Sequence, residues 1–145
     1  MKISKPPDVL VAMGLGSCIG VALYDPLLKI GGMLHVLLPV ADAMDKDAKR
    51  TKFANPGIYD FVEAMVKAGA CKTNLVAKLA GGASLLNNSA QVGQRNAEEC
   101  LKLLAELRIR VEAKDVGGEN GRTVYFDIAT GQMTISTLAK GKKTI

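Results

Sequence analysis

The side chains best suited to nucleophilic chemistry at neutral pH are scarce in this chain: three cysteines and one histidine. Cys18 lies in "VAMGLGSCIGVALYDP", Val11 to Pro26, where two glycines and a serine separate two apolar runs. Three readings of that stretch compete. Gly14 and Gly16, with Gly20, resemble part of a dinucleotide fingerprint, but that fingerprint needs a helix immediately after the loop, and "IGVALYD" reads as a strand. A plain turn would use the glycines for unusual backbone angles and keep Cys18 as a small buried hydrophobe. In the third reading, Cys18 is a nucleophile. A glycine-rich turn exposes backbone amides, and those at Ser17 and Cys18 could hold an oxyanion and lower a thiol pKa.

The lone histidine, His35, sits inside the apolar "GGMLHVLLP". Such a histidine can simply satisfy a core hydrogen bond. If the flanking segments are antiparallel strands joined by a turn centred on residues 26 and 27, however, Cys18 and His35 fall opposite each other. A cysteine beside a histidine is the outline of a thiolate–imidazolium nucleophile. The other cysteines read as packing: Cys100 on the apolar face of a helix, Cys71 between a helix and a strand. One histidine and no CxxC motif do not make a structural zinc site, so no metal is expected. An odd number of widely spaced cysteines argues against disulfides.

The elements that must position these residues follow from periodicity. "DVLVAM" (8–13), "IGVALYD" (19–25), "IGGMLHVLLP" (30–39) and "NLVAKLA" (74–80) read as strands, and "IRVEAKDV" (109–116) alternates as a half-buried one. "RTVYFDI" and "QMTISTL" around "ATG" read as a hairpin. Ile58, Phe61, Val62, Met65 and Val66 trace one helical face, punctuated by Pro56 and Gly69. Ala97, Cys100, Leu101, Leu104 and Leu107 trace a second. Polar stretches over 41–56 and 87–94 read as loops, the first long enough to be functional or mobile. Six or seven strands and two firm helices imply an α/β (α+β) sandwich: mixed or antiparallel sheets packed with two or three helices, in a single domain over 1–145.

Composition fits a soluble globular chain, with 48% hydrophobic and 23% charged residues. No apolar run approaches the ~18 residues of a membrane span. "MKISKPPDVL" does not read as a signal peptide, so a cytoplasmic location without membrane insertion is expected. Net charge is +5, but aromatics are few and the densest basic run is "KGKK" at 140–143, which reads as a solvated end; nucleic-acid binding is not expected.

Five segments, in order along nearly the whole chain, carry a resemblance: "GLGSCIGVALYDP" (14–26), "GGMLHVLLP" (31–39), "LAGGASLL" (79–86), "VGQRNAE" (92–98) and "DVGGENGRTVYFDIATGQM" (115–133). The sequence resembles CheD, the chemoreceptor glutamine deamidase family of bacterial and archaeal chemotaxis. The resemblance implies a compact α/β sandwich that hydrolyses receptor glutamine amides to glutamate and ammonia without a cofactor. It implies Cys18 as nucleophile and His35 as base, and the Ser17 and Cys18 amides of the glycine-rich turn fit the oxyanion of that chemistry. Gly14, Gly16, Gly81, Gly82 and Ser84 are candidates to line the cleft, although "LAGGAS" also reads as a tight turn. The implied partners are the cytoplasmic helices of methyl-accepting receptors and, in some systems, a CheC-type phosphatase. One position departs from the pattern. The family commonly carries a threonine, thought to orient the histidine, where this chain has Ala12. That leaves an alternative: a catalytically weak, CheD-like binding module that regulates a phosphatase or receptor.

Overall fold

The computed structural model describes residues 1–41, 49–84 and 90–145. Ten strands and two α-helices alternate along it: β1 (Lys2–Ser4), β2 (Val9–Leu15), β3 (Ile19–Asp25), β4 (Ile30–Val36), β5 (Leu38–Val40), α1 (Ala54–Lys67), β6 (Val76–Gly81), α2 (Ala90–Glu106), β7 (Arg110–Val116), β8 (Arg122–Asp127), β9 (Met133–Thr137) and β10 (Gly141–Thr144). Nine strands form two sheets. The first is mixed, in the order β1-β4-β3-β6-β7, with only β6 and β7 parallel. The second is antiparallel, in the order β10-β9-β8-β2.

The central strand β3 explains the layering. It is buried along its whole length, so its alternate residues face two different cores. Ile19, Val21 and Leu23 meet the helices, with Ile58, Phe61 and Met65 from α1 and Cys100, Leu103 and Leu104 from α2. Ala22 and Tyr24 meet the second sheet, through Leu10, Ala12, Leu15, Val124 and Phe126. The architecture is a helix–sheet–sheet sandwich, the expected α+β class with two helices.

Several expectations shift in detail. The strand expected over 30–39 ends at Val36, and a separate short β5 bridges Phe53 and Asn55. The polar 41–56 segment is not wholly a loop. Arg50–Lys52 form a 3-10 turn tied to α1 by an Arg50–Asp60 ion pair of 2.7 Å, while Phe53 and Ala54 are buried. The mobile-loop expectation for 42–48, and the loop reading of 87–89, fall outside the described residues. Helix α2 absorbs the rest of the second polar stretch and buries Leu103, which the expected face omitted. The basic tail forms edge strand β10, fully exposed, where lysines suit an unpaired edge.

Candidate functional site

Cys18 and His35 share a face, but they are not directly opposite. The β3–β4 ladder pairs Ile19 with Val36 and Gly20 with His35, two residues out of the expected register. Asp25 is the reason: its carboxylate accepts the amides of Leu27 and Leu28, closing a turn further along the chain than one centred on 26 and 27. By alternation Cys18 and His35 both look toward the second sheet and sit on a diagonal, where Cα atoms lie about 7–8 Å apart. Gly20 stands directly across from His35 and contributes no side chain to that face. A Cβ there would come within 3.0 Å of Leu15 Cδ1, so packing and access both favour glycine.

The loop that carries Cys18 is held by its carbonyls. Ala83 N donates to Gly16 O at 2.8 Å, and Gly82 N to Cys18 O at 2.8 Å. Asn96 Nδ2 donates to Ser17 O at 3.0 Å and to Leu37 O at 2.9 Å. Among the described residues, the Ser17 and Cys18 amides donate to no backbone carbonyl. Gly82, Ala83 and Asn96 are therefore the grip on this loop. Gly81 has φ of 125°, and a Cβ there would lie 2.1 Å from Cys18 O. Gly14, with φ of 64°, sits at the bulge where β2 slips register against β8.

Both reactive side chains are half-buried. Burial pushes the Cys18 thiol up, opposed in part by its own backbone amide. Burial, aided by the amino-terminal charge, pulls His35 down. Both shifts favour the uncharged forms of the two groups. His35 Nε2 is buried without a partner among the described residues. The ring lines a hollow of about 510 Å³ together with Ala12, Leu10, Met13 and Met33. The candidate cleft glycines do not converge on that hollow. Gly82 and Ser84 line a separate one against Gln94 and Glu98, and Gly14 lines another beside Arg122. The deepest titratable cysteine is Cys100, pushed up to about 12 by burial. Cys71 is not packed as expected: it is exposed, and its thiol is lowered by Thr73, side chain first and then backbone. No group of three or more His, Cys, Asp or Glu among the described residues could hold a metal.

Residues 37–137 match the family model for CheD, chemotactic sensory transduction. A relative from Desulforamulus reducens, named "Probable chemoreceptor glutamine deamidase CheD", is 40% identical over 99% of this chain and 90% of its own. A Clostridium botulinum relative of the same name is 43% identical over 100% of this chain and 93% of its own. The chain belongs to the CheD family. The CheD model match begins after His35, whereas the alignments with whole relatives extend over the segment that holds Ala12, Cys18 and His35. Sequence reasoning missed Asn96. Its signal was a poor helix former placed one position before the core residue Ala97.

Proposed function

We propose that this chain is a chemoreceptor glutamine deamidase in which Cys18 is the nucleophile and His35 the general base. The observation that carries the reading is the diagonal of Cys18 and His35 on one sheet face, with glycine between them. The relatives' printed names support the same substrate.

The chemistry is a two-step acyl transfer. Cys18 Sγ attacks the glutamine amide carbon as His35 takes the thiol proton. Ser17 and Cys18 amides, free of backbone partners among the described residues, hold the tetrahedral oxyanion. The C–N bond breaks, the imidazolium returns its proton to the leaving nitrogen, and ammonia departs. Water then attacks the thioester with His35 again as base, giving glutamate and the free thiol. His35 must be unprotonated to take the thiol proton, and burial favours that form. No cofactor takes part. The substrate is a cytoplasmic receptor helix, and a CheC-type phosphatase is a further partner of this cytoplasmic, single-domain protein.

The test is ammonia release from a receptor cytoplasmic fragment. The wild type should release ammonia, and Cys18→Ala should release none while keeping the same thermal melt. Full activity in Cys18→Ala would overturn the reading. A wild type that binds receptor or phosphatase without turnover would support the binding-module alternative.

A further inference from the structure

We propose that Asn96 is a positioning residue for this reaction: it fixes the Ser17–Cys18 peptide so that the Cys18 amide faces the reacting carbonyl oxygen. The inference rests on the reading of Cys18 as nucleophile. Asn96 is fully buried in the middle of α2, beside the core residues Ala97 and Cys100. Asparagine is a poor helix former, and a buried amide is costly unless bonded. Its Oδ1 is buried with no partner among the described residues, whereas its nitrogen is bonded twice. Both contacts of that nitrogen, Ser17 O at 3.0 Å and Leu37 O at 2.9 Å, are carbonyls. The orientation of the amide is therefore unambiguous, and both its protons are used.

The geometry of a peptide does the rest. In a planar trans unit the carbonyl and the following N–H point in opposite directions. Holding Ser17 O toward α2 aims the Cys18 N–H away from the helix. The neighbouring carbonyls, Gly16 O and Cys18 O, are held by the backbone of Ala83 and Gly82. Only the middle one depends on a side chain. Leu37 follows His35 by two residues, and its own amide donates to Lys52 O at 2.8 Å. Asn96 thus ties the nucleophile's loop to the end of the strand that carries the base. Gly93, one turn earlier, permits the approach: a Cβ there would lie 2.6 Å from Gly82 O.

The experiment compares wild type with Asn96→Asp, which keeps the shape but loses the N–H donors, and Asn96→Ala, which adds no charge. Two quantities are read on folded protein: kcat and KM for a receptor fragment, and the rate at which iodoacetamide alkylates Cys18. Alkylation uses the thiol but no oxyanion site. In whichever variant folds, kcat should fall about 100-fold, the scale of losing one oxyanion donor, with KM within about twofold of wild type and Cys18 alkylation falling by no more than about tenfold, because the same amide also favours the thiolate. An unchanged kcat would overturn the proposal. So would kcat and alkylation falling by the same factor, because Asn96 would then act on the thiol or on packing at large. If wild type alkylates at Cys18 but never deamidates, the deamidase reading itself fails, and that result is distinct from both.

Discussion

Among the described residues His35 Nε2 has no partner, and Ala12, which lines the same hollow, has no hydroxyl to offer. An unanchored imidazole can turn to an unproductive rotamer or tautomer. Ala12→Thr should therefore raise kcat by about tenfold, or about 1.4 kcal/mol of transition-state stabilisation, while KM stays constant. The strand tolerates a β-branched residue, and the new hydroxyl enters the hollow that His35 shares with Leu10, Met13 and Met33. Steady-state ammonia release checks this, and an unchanged kcat would mean that another group orients His35. The cysteines should separate as their surroundings dictate. Exposed Cys71, its thiol lowered by Thr73, should alkylate first near neutral pH, with Cys18 slower and Cys100 last. Peptide-resolved labelling reads the order directly; Cys18 reacting before Cys71 would show that His35 outweighs the effect of burial on the thiol. For His35 the sign is fixed by its lowered pKa. The unfolded chain binds more protons in the window below about pH 6.5, so stability is present above that pH and declines as pH falls through the window.

At the scale of elements, the loop between β2 and β3 is set by glycines with different jobs. Gly81 has both a positive φ and no room for a Cβ, because Cys18 O lies in the way. Gly14 has a positive φ but open space around it. Gly14→Ala should cost about 1 kcal/mol, the price of a left-handed angle alone. Gly81→Ala should cost more than about 3 kcal/mol and displace the nucleophile's loop. Urea denaturation of the two variants tests this ordering; equal costs would contradict it. Alternation and apolar runs made β2, β3, β4, β6 and the β8–β9 hairpin legible in the sequence. Register was not, because it depends on how Asp25 closes the turn, and Cys18 consequently meets His35 on a diagonal. The short β1, β5 and β10 carry no periodic signal, and only pairing with neighbours makes them strands.

At the scale of the whole molecule, each face of the first sheet has its own cover: helices on one side, the second sheet on the other. The sandwich class was legible because the strand and helix patterns were. The clamp on the active loop was not, since Asn96 and Ser17 are 79 residues apart and no local pattern joins them. The candidate pair came from residue types and family resemblance, while the burial that raises the Cys18 thiol and lowers His35 comes from packing that the sequence does not display. The central claim is that Cys18 and His35 together convert receptor glutamine to glutamate. Its most direct test is site-resolved mass spectrometry of a receptor cytoplasmic fragment after incubation with wild type, Cys18→Ala and His35→Ala. The account predicts that wild type adds about one mass unit at particular glutamines, that Cys18→Ala adds none, and that His35→Ala slows conversion by about 100-fold or more. Equal conversion by all three proteins would contradict it.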